Sequence, residues 1–153
     1  KVTWSNTYYT GPEKTGTNEG KRNFYDTVLL LTPAQKTSFY VNFDYGTEKN
    51  IGGGSQDWIA LAGAARFQVT DKFALSPRIE YYYDKDGWAT LTQQKLKEFT
   101  FTAEYKMAEG LLARAEYRRD WSDQPVFERG TGGMYKNQST ALIGIVAFFG
   151  PDR

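Results

Sequence analysis

The sequence predicts an all-β fold: a transmembrane antiparallel up-and-down β-barrel of about eight strands. Three observations predict it. Apolar and polar residues alternate with period two through segment after segment, as side chains on opposite faces of a strand must. Aromatic residues make up 16% of the 153 residues and fall mainly on the apolar side of that alternation. The connections between segments alternate between short turns and long polar loops, the pattern of an outer-membrane barrel.

Composition narrows the class further. Hydrophobic residues are 40% and charged residues 24%, ordinary for a soluble chain. Mean hydropathy is −0.62, and no apolar run approaches the roughly 20 residues of a spanning helix. A barrel is compatible with both values, because alternating strands average out as polar. The net charge of +1 gives no electrostatic case for nucleic acid. The length suits one domain over 1–153, and the chain, starting at Lys1, is expected to be a mature product or a fragment.

In chain order, Val2 to Thr10 is rich in Thr and aromatics, with Val2, Trp4 and Tyr8 on one face. A polar, Gly-bounded loop spans 11–20. In NFYDTVLLLT, Tyr25, Thr27, Leu29 and Leu31 oppose Asp26, Val28 and Leu30. A short turn covers 32–37. From Ser38 to Tyr45, Phe39, Val41, Phe43 and Tyr45 oppose Ser38, Tyr40, Asn42 and Asp44. The loop at 46–56 holds a triple glycine but lacks the GK[ST] ending of a phosphate-binding loop. Asp57 to Val69 places Ile59, Leu61, Gly63, Ala65 and Phe67 against Ala60, Ala62, Ala64, Arg66 and Gln68.

After a tight turn at 70–72, Phe73 to Tyr83 alternates again, and Pro77, which cannot donate to a ladder, predicts a local irregularity. The loop at 84–95 leads to Leu96–Met107, where Phe99, Phe101, Ala103 and Tyr105 oppose Glu98, Thr100, Thr102 and Glu104. The turn at 108–110 opens Leu111 onward: Ala113, Ala115 and Tyr117 face away from Arg114, Glu116, Arg118 and Asp120. A long loop at 121–137 precedes the last strand, Ser139 to Phe149, whose two faces are both apolar, leaving its register open. A weak repeat of turn, strand, aromatic and acid recurs at about 38 residues, the size of one hairpin of a meander.

The polar face is the candidate functional surface. Asp26, Asp44, Arg66, Arg78, Glu80, Glu98, Glu104, Arg114, Glu116, Arg118 and Asp120 fall on it as lumen or ion-pair lining. Uncompensated charge inside a low-dielectric barrel costs several kcal/mol, so these groups are expected to pair. A turn centred on Glu109 sets Glu104 opposite Arg114. The same residues serve two readings, a charged channel lining or a salt-bridged plug. A closed eight-stranded barrel is filled by its own side chains, so the chain closed alone is expected to conduct poorly. Trp4, Tyr8, Tyr45, Tyr83, Tyr105, Tyr117 and Trp121 on the other face are the expected interfacial aromatic girdle.

Catalysis has little support. Without His or Cys there is no triad, thiol nucleophile, imidazole site or thiolate metal site. No cofactor and no metal site is expected, since the loop acids lack EF-hand spacing. A soluble lipocalin-like barrel binding an apolar ligand is a weaker alternative, opposed by Arg78, Glu80, Arg114 and Glu116 on the face such a ligand would occupy.

The stretches GKRNFYDTVLLLTP, FALSPRIEYYYDKDGWAT, KLKEFTFTAEYKM, LLARAEYRRDWSDQP and STALIGIVAFFG resemble Gram-negative outer-membrane porins of the putative β-barrel porin, OmpL-like family. The resemblance runs along essentially the whole chain and is most specific at EYRRDWSDQP. It implies an outer-membrane barrel with a porin role, passing small hydrophilic solutes by passive diffusion, with outer-membrane lipid as its surroundings. It also implies that this stretch corresponds to the C-terminal part of a larger barrel. No catalytic role transfers to Trp121–Pro125.

With an even strand count, both termini and the turns at 32–37, 70–72 and 108–110 belong at the periplasmic end. Protease added to intact cells should then cut within 46–56 or 121–137. Cleavage confined to the short turns reverses this orientation.

Overall fold

The computed structural model describes residues 1–51, 53–130 and 132–150. Gly52 of the triple-glycine loop, Thr131 of the long loop and the last three residues lie outside the described residues. The regular elements are β1 (Val2–Gly11), β2 (Arg22–Ala34), β3 (Thr37–Lys49), β4 (Ser55–Gln68), β5 (Phe73–Asp84), β6 (Gln94–Ala108), β7 (Leu111–Ser122), β8 (Phe127–Arg129), β9 (Gly133–Tyr135) and β10 (Asn137–Ala147). Eight strands form one antiparallel sheet in the order β1-β2-β3-β4-β5-β6-β7-β10, and β8 and β9 pair separately.

Two expectations are corrected here. The sheet is an open meander, not a closed barrel: among the described residues β1 pairs with β2 alone and β10 with β7 alone. Alternation assigns faces within a strand, but nothing in it specifies a second neighbour for either edge. The strand count is ten, because the loop at 121–137 folds into the β8–β9 hairpin. Its three-residue strands are too short for period-two analysis. The hairpin is held by the Phe127↔Tyr135 pair and by the Arg129 guanidinium 4.1 Å above the Tyr135 ring.

The strands also outrun their expected ends. β3 continues to Lys49 and β4 starts at Ser55, so the loop predicted at 46–56 shrinks to 50–54. β5 and β6 likewise reduce the loop at 84–95 to 85–93. The last strand is resolved in register: Ile143 lies opposite Ala115 and Ile145 opposite Ala113, which puts Leu142, Gly144 and Val146 on the face of Glu116, Arg114 and Leu112. Pro77 interrupts the β4–β5 ladder, which runs to Ala64↔Arg78 and resumes at Phe67↔Leu75.

Register lines up the faces across the sheet. One row runs Val41–Gly63–Ile79–Phe99, and a row on the other face runs Asn42–Ala62–Glu80–Glu98–Asp120–Gln138. Burial is inverted relative to a water-soluble sheet. Phe43 and Phe101 are 36% and 38% exposed, while Glu98 and Asp120 are 6% and 4% exposed. Trp58 and Ala74 are the buried hydrophobic residues among those described.

At the long-loop end, segment 85–93 folds around the fully buried Asp84. Its carboxylate accepts from the Trp88, Ala89 and Thr90 amides at 2.8, 2.9 and 2.8 Å and from the Thr90 hydroxyl at 2.9 Å. Gly87 turns the segment at φ +69°, where a methyl group would strike the backbone of Thr92 and Gln93. The segment brings the Trp88 ring onto Trp58 in a stack with centroids 4.5 Å apart and planes 10° apart. Trp58 itself lies flat over Gly46, its cross-strand partner, in the space a Cβ would fill.

Gly46→Ala should therefore expel the Trp58 ring and break the Trp58–Trp88 stack, read as loss of the tryptophan exciton signal in circular dichroism. Gly11→Ala, with open space at that position, should leave the signal intact. Equal spectra for Gly46→Ala and the parent chain would show that Gly46 does not set the stack.

Candidate functional site

The polar face carries all eleven residues predicted for it, and register brings most of them onto β5, β6 and β7. Glu80, Glu98 and Asp120 lie side by side on consecutive strands. Three carboxylates in adjacent positions would repel, and like charges opposite each other destabilise a sheet. Arginines of the next row neutralise them. Arg78 and Arg118, both opposite Thr100, flank the buried Glu98, with their Nη2 atoms 3.4 and 3.7 Å from its Oε2. Arg78 also bonds Glu80, and Arg118 Nε donates to Asp120 at 2.9 Å. The Thr100 hydroxyl bonds Glu98 Oε1, and Gln138 Nε2 donates to Asp120 Oδ2 at 2.9 Å. One network thus ties β5, β6, β7 and β10.

A second cluster lies toward the short turns. Glu104 is directly opposite Arg114, whose Nη2 is 2.6 Å from Glu104 Oε1. Arg66 reaches the same carboxylate from β4, at 3.3 Å from Oε2. To do so it crosses β5, where the adjacent row carries the buried Ala74 between Gln68 and Glu104. A small residue there leaves the path open.

The remaining predicted acids are differently placed. Asp26 and Asp44 are opposite each other and share Asn42, whose Nδ2 donates to them at 2.7 and 3.2 Å. Glu116 was expected to meet a guanidinium; instead it accepts from the Thr102 hydroxyl at 2.9 Å. Among the described residues none of these three acids forms an ion pair, and no group of three or more acids, His or Cys is arranged to hold a metal.

Sequence inspection missed the polar cluster at the long-loop end. Arg22 Nε bonds Glu48 Oε2 at 2.6 Å, and the Arg22 guanidinium lies 4.5 Å from the Trp88 ring centroid. Gln94 and Ser122, diagonal neighbours on β6 and β7, are joined by the Ser122 hydroxyl donating to Gln94 Oε1 at 2.8 Å. A signal existed: the alternation Asn42, Asp44 continues to Gly46 and Glu48, and Glu80, Tyr82 continues to Asp84. Extending the first past Gly46 reaches Glu48, and extending the second by one step reaches Asp84. Phe127, beside Glu80, Glu98 and Arg118, lines a hollow of about 170 Å³ on this face.

The aromatic set lies on the opposite face, but not in one belt. Tyr8, Tyr45 and Tyr83 fall in a single register row with Tyr25 near the long loops, and Trp121 is close to that end of β7. Trp4 and Tyr105 sit toward the short turns, and Tyr117 is mid-strand. Trp4 Nε1 donates to Thr27 Oγ1 at 2.8 Å and Tyr8 to Asn23 Oδ1 at 2.9 Å.

The arginines flanking Glu98 are the costly ones to remove. Arg78→Ala with Arg118→Ala strands a buried carboxylate and should lose roughly 3–5 kcal/mol of stability, measured by urea unfolding in lipid vesicles. Adding Glu98→Gln to that pair should recover much of the loss. No recovery would mean that Glu98 is not what the arginines compensate.

The family model described as "Putative beta-barrel porin-2, OmpL-like" matches residues 1–149. Searches of curated proteins and of solved structures found no match. The match spans every strand of the sheet and the charged face described above, and the chain belongs to this β-barrel porin family.

Proposed function

We propose that the chain forms the wall of a porin-type β-barrel in the Gram-negative outer membrane, with termini on the periplasmic side, and that small hydrophilic solutes diffuse passively along its charged face. The carrying observation is the inverted burial: the apolar residues are outside and the carboxylates sheltered. Lipid on the aromatic face and water on the charged face satisfy both. A soluble barrel holding an apolar ligand would bury the aromatics instead. In lipid an open sheet edge leaves backbone groups without partners, so the free edges of β1 and β10 must be paired in the membrane, with each other or with further strands. A second reading, the plugged barrel with a structural or surface-interaction role, is favoured by Trp88 and Phe127, which both rest against the charged face.

Two measurements test this. Phe101→Arg places a charge on the lipid face and should cost roughly 2–4 kcal/mol if near the midplane, seen as failed insertion into vesicles; unimpaired folding overturns the face assignment. In planar bilayers, a steady ohmic conductance supports the pore. An inserted but silent chain that conducts after Arg114→Ala with Arg118→Ala is the plugged barrel.

A further inference from the structure

Three cations cluster on the outer face near the long-loop end of β6 and β7. Lys95 and Lys97 are exposed, and Lys97 lies opposite Trp121, next to the Phe99↔Arg119 pair. Among the described residues none of the three forms an ion pair with a carboxylate. Aromatic rings carry two of them instead: Lys95 Nζ is 5.1 Å from the Tyr83 centroid, and the Arg119 guanidinium 5.5 Å from that of Trp121. Arg119 is further oriented by bonds to Ser139 Oγ and Asn137 Oδ1 at 3.1 and 3.2 Å. Placing bare cations on a lipid-facing surface costs little only near the interface, and there they attract anions.

Beside them the face is hollowed. Gly63 contributes no side chain to the row Val41–Gly63–Ile79–Phe99, and a depression of about 560 Å³ lies over it, with Leu61, Ile79, Phe99, Lys97 and Trp121 among its lining. An apolar hollow with one unpaired cation, Lys97, in its lining and a second, Arg119, on the next strand opposite Phe99 has the complementarity of an amphiphile: an acyl chain along Leu61, Gly63 and Ile79, a phosphate at Lys97 with Arg119 beside it. We infer that this outer-face hollow is a binding site for one acyl-chain lipid whose phosphate headgroup is net anionic. The inference rests on the lipid-facing assignment of this face proposed above.

The full chain would be inserted into vesicles of phosphatidylcholine with or without 20% phosphatidylglycerol, roughly a conventional anionic content, extracted, and weighed intact for retained lipid. Wild type should retain one phosphatidylglycerol in preference to phosphatidylcholine, and inorganic phosphate should not displace it. Lys97→Gln with Arg119→Gln should lower retention at least tenfold. Gly63→Leu should lower it with every charge in place. A methyl group at Gly63 comes no closer than 3.8 Å to Ile79 Cγ1, so the backbone accepts the side chain. Equal retention of both lipids, or equal retention by wild type and both variants, overturns the site; displacement by inorganic phosphate makes it an anion site without a lipid. A chain that enters neither vesicle overturns the lipid-facing assignment and the site with it, whereas one that enters both without preference overturns the site alone.

Discussion

Everything in this sheet depends on how buried carboxylates are neutralised. Three acids in one row on β5, β6 and β7 could not share a sheltered surface without Arg78 and Arg118 in the row beside them. The guanidinium is suited to this task, since its fork of donors serves two acceptors at once. Arg118 spans Glu98 and Asp120, and Arg78 spans Glu80 and Glu98. Small residues at Ala60, Ala62, Ala64 and Ala74 leave lateral room for these long side chains on neighbouring strands. The polar face is therefore the ordered one, cross-linked by ion pairs from β4 to β7.

That order extends to the long-loop end by different means. Asp84 gathers the amides of its own loop, and the loop delivers Trp88 to Trp58 and Arg22. A loop that binds its own backbone to a strand carboxylate has fewer orphan donors to satisfy with water. The segment consequently narrows the charged face as a defined structure with a fixed aromatic surface.

Much of the sheet was legible in the residues. Faces followed from alternation alone: Phe39, Val41 and Phe43 on one side, Arg114, Arg118 and Asp120 on the other. Glu104 stands against Arg114 as expected, although the closing pair is Ala108↔Leu111 and a register shift between Lys106 and Ala108 restores that pairing. Other parts were not legible. Strand ends at Lys49 and Asp84 were hidden by glycine and acid, residues that look like loop even when a ladder continues through them. Val146 and Ile145 are equally apolar, so register in β10 came only from pairing with β7. Edge pairing has no side-chain signature, and closure was expected from alternation, aromatic placement and the alternating lengths of the connections. Asp26, Asp44 and Glu116 were expected in ion pairs because they share a face with arginines; the rows beside Asp26 and Asp44 carry no arginine next to them, and the two arginines flanking Glu116 are engaged by Glu104 and by Glu98 and Asp120.

The strand order follows the chain order, with only the β8–β9 hairpin interposed before β10. Every backbone ladder therefore joins segments adjacent in sequence, across connections that cost little loop-closure entropy. The sheet can grow by adding one hairpin at a time, each new strand templated by the one before it. The Arg66–Glu104 bridge, which skips a strand, forms only after β6 has docked. It ties β4 to β6 across β5, a link that no ladder supplies.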